Sequence, residues 1–237
     1  MSLGDRAQNN YADQTEPFAT IKANKAELSW SLGYYPTLEE IISHMPATVL
    51  NFGCGPGTLQ LELTQAGIKV TGVDRNHDML AIARQRDPDG EYLSGLADLP
   101  EDRQFDCACA SFCFCEIPDD ELLLILIGIR QRIRSGGKLV ILEPNLERAH
   151  GVKYSTLHYH VKSGVRSGER VAVTLNVGKE KVVLDNDVYR LHVDYRRLLR
   201  HAGFKVEKMR APKTLSNHHP DLAQVRRYPP FLIITAS

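Results

Sequence analysis

The first part of the chain alternates short apolar runs with segments of helical periodicity. Runs of strand length predict buried strands, and apolar residues spaced three and four apart predict amphipathic helices. This rhythm predicts a parallel sheet with helices on both faces. The predicted strands are 47–53, 69–74, 90–95, 104–111 and 138–145, and the predicted helices are 58–67, 76–86 and 119–137. Asn76 is the predicted N-cap of the second helix, and two glycines are predicted to end the third.

The pattern changes near residue 150. Residues 150–193 alternate with a period of two, which predicts antiparallel strands with a turn near Gly178 and Lys179. A helix over 193–204, ending at Gly203, and two closing strands follow. We therefore predict one α/β domain over 1–237, Rossmann-like and doubly wound. Its mostly parallel sheet should carry a C-terminal antiparallel strand, an antiparallel β insertion at 150–193 and an N-terminal helical cap at 1–45.

Composition limits the classes of partner. The 237 residues are 43% hydrophobic and 24% charged, which is typical of a globular domain, and 29 basic residues balance 29 acidic ones. Without a basic block, no nucleic-acid partner is predicted. The longest apolar run, 122–129, is too short to span a bilayer, and the first 30 residues do not read as a signal peptide. We expect a cytoplasmic protein that acts on a small molecule.

A glycine-rich loop stands between the first strand and the first helix. In "VLNFGCGPGTL", Gly53, Gly55 and Gly57 let a ligand approach the backbone, and the helix that follows offers free N–H groups. Thr58 occupies the place of the third glycine of a dinucleotide fingerprint, and the loop lacks the lysine of a P-loop. Asp74, at the end of the second strand, is placed to accept hydrogen bonds from ribose hydroxyls. The loop therefore predicts a site for a nucleotide-like cofactor.

Four stretches resemble the motifs of class I S-adenosylmethionine-dependent methyltransferases. They are "VLNFGCGPGTLQLEL" with "VTGVDRNHDMLAIAR", then "SGLADLP", and then "SGGKLVILEPN". The C-terminal pattern is similar to small-molecule methyltransferases of the toxoflavin-synthase-like type. The resemblance implies S-adenosyl-L-methionine as cofactor and covers about residues 45–145.

The resemblance also implies roles for individual residues. Gly53, Cys54 and Gly55 would run beside the methionine portion of the cofactor, and Asp74 would hold the ribose. Arg75 and Met79 would flank the adenine. Ser111 and Phe112 would lie near the cofactor and open toward the substrate.

The chain departs from the family pattern at two positions. Asn51 stands where the family usually has an acid, and it can hydrogen-bond but carries no charge. Gly95 stands where an acid often binds the adenine amino group. The backbone of Leu96 and Ala97, or the side chain of Asp98, could take its place.

The stretch "DCACASFCFCE" holds four cysteines in nine positions. Cys107 and Cys109 lie two apart on a predicted strand, so they share one face and are expected to pack as small apolar residues. Zinc sites usually take their cysteines from turns, so no metal site is predicted. Cys113 and Cys115 follow the strand and are expected near the mouth of the site, where Cys115 and Glu116 become candidate substrate residues.

Histidines and aromatic residues supply the remaining candidates. His158 and His160 share one face of a predicted strand and are the candidate catalytic bases, because histidine titrates in the useful range. Tyr189 on a neighbouring strand is a candidate substrate residue. N-terminal aromatic residues could cap the cofactor or stack on a flat substrate, or they could fill a core. They include Tyr11, assigned to the cofactor, and Tyr34 and Tyr35, assigned to the substrate.

The sequence thus predicts transfer of a methyl group from S-adenosylmethionine to nitrogen or oxygen of a small aromatic or heterocyclic metabolite. A nicotinamide-dependent oxidoreductase and a non-catalytic protein with a degenerate cofactor site are the alternatives. Residues 150–193 could form a lid over the site, the contact surface of a homodimer, or both.

Overall fold

The computed structural model describes residues 28–149, 151–177 and 180–237. The predicted Gly178–Lys179 turn and Tyr11 lie outside these residues. The described chain has ten strands, β1 to β10, at Thr48–Phe52, Lys69–Val73, Glu91–Leu93, Phe105–Ser111, Ile133–Pro144, Leu157–His160, Arg170–Val177, Glu180–Val188, Val206–Arg210 and Phe231–Ala236. The α-helices of the same residues, α1 to α7, are Tyr35–Ser43, Thr58–Gln65, His77–Arg86, Asp119–Arg132, Leu146–Ala149, His192–His201 and Leu222–Arg227. A π-helical turn, Ser29–Tyr34, leads directly into α1.

Seven strands form the main sheet in the order β3-β2-β1-β4-β5-β10-β9. The first five are parallel, and β10 runs antiparallel to both β5 and β9. Parallel strands need crossover connections. Helices α2, α3 and α4 supply three of them, and the connection from β3 to β4 contains only the 3₁₀ turn Leu96–Asp98. The predicted mostly parallel sheet with an antiparallel C-terminal strand is confirmed.

Two apolar layers cover the sheet. On one face, Val49, Cys107 and Cys109 pack with residues of α1 and α2. On the other face, Leu50 and Ala108 pack with residues of α4 and α6. Neighbouring residues of a strand point to opposite faces, so alternate positions feed the two layers. Cys107 and Cys109 are buried in the same layer, which confirms the packing predicted for them.

A second, three-stranded antiparallel sheet has the order β6-β7-β8. It lies within the predicted β insertion, and Tyr154, Leu157 and Tyr159 pack it against the first layer of the core. Its formation confirms the antiparallel strands predicted from the period of two. Whether it serves as a lid or a dimer surface stays a prediction.

The predicted helix over 119–137 is wrong at its C-terminal end. The helix ends at Arg132, and β5 begins at Ile133, which pairs with Phe105 of β4. A Cβ on Gly137 would lie 2.6 Å from the carbonyl oxygen of Asp106. The glycine therefore permits a close approach of two strands and does not end the helix.

Other helices agree with the pattern or were missed by it. The Asn76 side chain accepts hydrogen bonds from the backbone N–H groups of Asp78 and Met79, as an N-cap does. The sequence pattern missed α7. No helix of the described residues is long and apolar enough to cross a membrane.

Candidate active site

A cavity of about 280 Å³ opens at the carboxyl ends of β1, β2 and β4. Ligands of open α/β sheets bind at this edge, where loops from neighbouring strands diverge. Residues of the glycine loop, the end of β2 and the segment after β4 line it. The candidates that line it are Asn51, Gly53, Cys54, Gly55, Asp74, Arg75, Met79, Ser111, Phe112, Tyr34 and Glu116.

The glycine loop is held close to both neighbouring strands. The backbone N–H of Gly53 donates to the carbonyl oxygen of Val73 at 2.7 Å. Gly53 and Gly55 have φ angles of 64° and 52°, in the left-handed region that favours glycine. A Cβ on Gly53 would lie 2.5 Å from the Cβ of Cys113, whereas one on Gly55 would meet nothing within 4 Å. Gly53 thus lets the loop contact the end of β4, and Gly55 leaves room in the cavity.

The carboxylate of Asp74 joins this loop to the end of β2. Its Oδ2 accepts from the backbone N–H of Gly55 at 2.7 Å, and its Oδ1 accepts from that of Asn76 at 2.9 Å. Burial raises the pKa of Asp74, although these two N–H donors and Arg75 act in the opposite direction. A carboxylate oxygen accepts more than one hydrogen bond, so capacity for ligand hydroxyls remains.

Three polar atoms at the cavity wall are buried and make no hydrogen bond to the described protein. They are Asn51 Nδ2, Thr58 Oγ1 and Ser111 Oγ. Asn51 is 2% exposed, and its Oδ1 is the acceptor for the Cys109 thiol at 3.5 Å. A buried polar group without a partner costs free energy, so it indicates a ligand or water. The wall therefore fits a polar ligand that supplies the missing partners.

Aromatic rings form another part of the wall. The Phe112 ring meets the rings of Tyr34 and Phe231 edge to face, with centroids 5.5 and 5.1 Å apart. Phe112 has a φ angle of 54°, which is rare for a residue other than glycine. Its backbone N–H donates to the carbonyl oxygen of Leu142 at 2.7 Å, which fixes the unusual conformation. The strain keeps a flat apolar surface at the end of β4.

The segment after β4 rests on buried charged residues. Arg190, whose side chain is 0% exposed, donates to the carbonyl oxygens of Phe114 and Ile117 and pairs with Asp119 at 2.8 Å. Glu143 accepts from the backbone N–H of Phe114 at 3.1 Å. These contacts fix the short 3₁₀ turn Phe114–Glu116, which brings Glu116 to the cavity wall.

The residues predicted to replace the missing adenine-binding acid do not line the cavity. Leu96, Ala97 and Asp98 form a 3₁₀ turn beside it. The Asp98 carboxylate accepts from the backbone N–H groups of Ser94 and Gly95 at 3.1 and 2.9 Å, so it caps its own turn. Ser94 and Gly95 line the cavity in place of these residues.

The histidine prediction is not supported by the placement of the pair. Leu157 and Tyr159 of β6 face the core, so His158 and His160 face the other side of the small sheet, outside the lining of the cavity. Their rings lie 4.1 Å apart, and His160 Nε2 bonds to Thr174 Oγ1 at 2.7 Å. Burial, followed by His160, lowers the pKa of His158.

Three candidate substrate residues also lie elsewhere. Tyr35 is 49% exposed on α1, because its neighbour Tyr34 takes the inward position. Tyr189 and Cys115 are buried in the protein and do not line the cavity. The sequence indicated that these residues lie near the site, but it does not show in which direction each side chain points.

Sequence reasoning missed several residues of the wall. Glu121 and Ile125 line the cavity from the first turns of α4, four positions apart and therefore on one helix face. That spacing, read with the position of α4 directly after the fourth strand, is a signal that could have found them. Arg190 and Glu143, which support the wall from behind, carried no motif.

Comparison with known proteins identifies the domain. Residues 49–137 match the model of a family described as a methyltransferase domain. The chain contains a methyltransferase domain. It is 32% identical over 117 residues to an uncharacterized methyltransferase of Staphylococcus carnosus, covering 49% of this chain and 56% of that one. It is 35% identical over 125 residues to a demethylmenaquinone methyltransferase of Thermotoga maritima, covering 50% and 54%. The matches thus span about half the length of each relative.

Solved structures of methyltransferases share the fold over nearly the whole chain. An S-adenosylmethionine-dependent methyltransferase from Clostridium acetobutylicum aligns with a TM-score of 0.63 and 13% identity, covering 94% of this chain and 98% of that one. An amino pentose methyltransferase from Micromonospora echinaspora, solved with S-adenosylmethionine bound, aligns at 0.53 and 14%, covering 86% and 90%. The family match over residues 49–137 confirms the predicted methyltransferase domain, and these structures confirm the predicted fold class. The toxoflavin-synthase-like subtype stays a prediction.

Proposed function

We propose that this protein transfers a methyl group from S-adenosyl-L-methionine to nitrogen or oxygen of a small aromatic or heterocyclic metabolite. The observation that carries the proposal is the set of unpartnered buried polar atoms, Asn51 Nδ2, Thr58 Oγ1 and Ser111 Oγ, at one cavity. That cavity also contains the glycine loop and Asp74, where a nucleoside is expected in this fold.

Each part of the cavity suits one part of the cofactor. The backbone at Gly53 and Gly55 allows close approach of the methionine portion, where Asn51 offers an amide. Asp74 can accept from ribose hydroxyls. Met79 and Arg75, with the Ser94–Gly95 backbone, would enclose the adenine in place of an acidic side chain. When bound, the cofactor supplies an electrophilic methyl group on a sulfonium.

The protein's part in the reaction is largely positional. Fixing the acceptor in line with the methyl group and the sulfur replaces much of the entropic barrier of a two-molecule reaction. The rings of Phe112 and Tyr34 would hold a flat acceptor by stacking. Tyr34 is buried and Phe112 is half-buried, so the two rings would leave little room for water beside the reacting atoms.

Two relatives are consistent with a small-molecule acceptor. By their names, one acts on demethylmenaquinone and another on an amino pentose. The family match covers residues 49–137 and does not define the acceptor.

The two alternatives make different predictions for ligand binding. A degenerate site would bind the cofactor or its product without turning over an acceptor, and Asn51 is the residue that motivates this alternative. An oxidoreductase would bind NAD, which Thr58 in the place of a third glycine disfavours.

A thermal melt with S-adenosylhomocysteine, with NAD as the control ligand, tests the proposal. A ligand at 100 times its dissociation constant should raise the free energy of unfolding by about 2.7 kcal/mol. For a domain of this size that corresponds to a rise in Tm of roughly 5–10 °C. A rise with S-adenosylhomocysteine alone supports the proposal. No rise, or a rise with NAD alone, contradicts it.

A further inference from the structure

The position of Glu116 suggests a role that goes beyond cofactor binding. Glu116 lines the cavity together with Phe112, Cys113 and Ile117, all from the segment between β4 and α4. The inference drawn here rests on the proposed function, because it concerns the molecule that receives the methyl group.

The backbone around Glu116 is fixed from both sides. Arg190 donates to the carbonyl oxygen of Phe114, two residues before Glu116, and to that of Ile117, one residue after it. Glu143 accepts from the N–H of Phe114 at 3.1 Å. Arg170 of β7 donates to the carbonyl oxygen of Glu116 itself at 2.8 Å. A side chain on such a support keeps its position when a ligand arrives, which is what a reacting group requires.

Acidic groups face Glu116 from two neighbouring strands. Burial, followed by Asp187 of β8 and Glu143 of β5, raises the pKa of the Glu116 carboxyl to about 8, and Arg170 offsets only part of this effect. An acceptor that becomes an anion, such as a phenolate, would further disfavour ionisation of these acids. A cationic acceptor would favour the ionised form of Glu116 and pair with it.

We propose that Glu116 binds the methyl acceptor as an ammonium ion and takes its proton, so that the substrate of this site is an amine. The N–H bond breaks, and its proton passes to the carboxylate to give the free amine and a carboxylic acid. The lone pair on nitrogen then attacks the methyl carbon. The carbon–sulfur bond breaks, and its electron pair stays on sulfur, so the products are the methylated ammonium ion and S-adenosylhomocysteine.

Nitrogen and oxygen are both possible methyl-accepting atoms in the proposed function, and this assignment selects nitrogen. It also replaces the histidines as the proton acceptor, because Glu116 reaches the cavity and they do not. A base with a pKa near the working pH is suited to accept and release a proton in each turnover.

Sinefungin tests the proposal without knowledge of the natural acceptor. This analogue of the cofactor carries an amine where S-adenosylmethionine carries the transferable methyl group, so its ammonium should face Glu116. S-adenosylhomocysteine lacks that amine and has sulfur where sinefungin has the amine-bearing carbon, and its other groups are the same. The ratio of the two dissociation constants therefore reports on a carboxylate beside the reacting atom.

The experiment is calorimetric titration of both ligands into wild type, Glu116→Gln and Glu121→Gln. Glu121 is the matched control, because it lines the same cavity but pairs with Arg75 at 3.5 Å. A charge-assisted hydrogen bond should favour sinefungin, so Glu116→Gln should shift the ratio by about tenfold or more against it. Glu121→Gln should shift the ratio by less than about threefold, as expected of an exposed pair.

Proton release gives a second measurement. Because burial raises the pKa of the Glu116 carboxyl, an ammonium beside it favours release of the carboxyl proton. Titrations in two buffers of different ionisation enthalpy should show that wild type releases up to about one more proton per sinefungin bound than Glu116→Gln does. A merely structural role for Glu116 would not change this number.

The outcomes separate the two proposals. If neither ligand binds to wild type, the proposed function fails, and this inference fails with it. If S-adenosylhomocysteine binds and Glu116→Gln changes neither the ratio nor the proton release, Glu116 does not face the reacting atom, and only this inference is overturned.

Discussion

At the scale of single residues, the shape of the cavity depends on two glycines, which carry no Cβ atom. Gly53 and Gly55 have similar backbone conformations, but only Gly53 has Cys113 where its Cβ would be. The two positions therefore separate the cost of a left-handed backbone from the cost of a steric clash.

Alanine at each glycine should destabilise the protein to a different extent. Gly55→Ala should lower the free energy of unfolding by about 1–2 kcal/mol, because only the left-handed conformation is penalised. Gly53→Ala should lose a further 1–3 kcal/mol or so, because the Cβ of Cys113 must move. Urea unfolding of the ligand-free proteins measures both losses. Equal losses would mean that the loop moves away from β4 without penalty.

At the scale of elements, one arginine connects parts of the fold that are distant in sequence. Arg190 follows β8, and it holds both the turn after β4 and the first residue of α4 through Asp119. Arg197 of α6 pairs with the same carboxylate at 2.8 Å. Its side chain lies at the surface, with 45% exposed. Both arginines thus pair with Asp119, but Arg190 is buried and Arg197 is exposed.

Methionine at these two arginines should have unequal effects. Arg190→Met leaves buried carbonyl oxygens without a donor and removes the buried partner of Asp119, so the loss should be about 3 kcal/mol or more. Arg197→Met should cost less than about 1 kcal/mol, since exposed pairs contribute little. The midpoints of urea unfolding compare the two variants. Similar losses would contradict the view that Arg190 supports the cavity wall.

Sequence patterns predicted the helices and strands better than they predicted the residues that form and support the cavity wall. The βα rhythm and the glycine loop follow from local periodicity, and both are visible in the structure. Glu143 and Arg190 come together behind the cavity wall only through tertiary packing, so no local pattern predicts their role. The end of α4 was mistaken because Gly137 serves a close strand contact, which sequence cannot distinguish from a helix stop.

The sequence also did not show whether a given side chain faces the cavity, the core or solvent. His158 and His160 were correctly assigned to one face of a strand, but period two does not say which face is buried. Packing of Leu157 and Tyr159 decides it. Tyr34 and Tyr35 were both assigned to the substrate, although one faces the cavity and the other solvent.

At the scale of the whole molecule, two buried acids make stability depend on pH. Burial raises the pKa of Glu143 to about 8, with Asp187 acting in the same direction and Arg190 against it, and the pKa of Glu116 is also about 8. In the unfolded chain both groups titrate near their usual pKa of about 4.3. Between these values the folded protein binds more protons, so its stability falls as pH rises.

We expect the free energy of unfolding to decrease from pH 6.5 to pH 8. The slope should be at most about 1.4 kcal/mol per pH unit for each proton retained on folding. His158 and His192, whose pKa values are lowered by burial, act in the opposite direction mainly below pH 6.5. Urea unfolding at a series of pH values gives the slope.

Glu143→Gln is the informative variant for this dependence. The glutamine can still accept from the N–H of Phe114, but it no longer titrates. Its slope should be clearly shallower than that of wild type over the same range. An unchanged slope would show that Glu143 does not hold a proton in the folded protein.

The aromatic contacts have a practical consequence for watching the site at work. Trp30 is the single tryptophan of the chain, and its ring lies 6.2 Å from that of Tyr34, which lines the cavity. Tryptophan emission is sensitive to polarity and to the packing of its neighbours. A ligand that fills the cavity beside Tyr34 should therefore change the intrinsic fluorescence of the unlabelled protein. Trp30 can therefore report on ligand binding at the cavity without an added label.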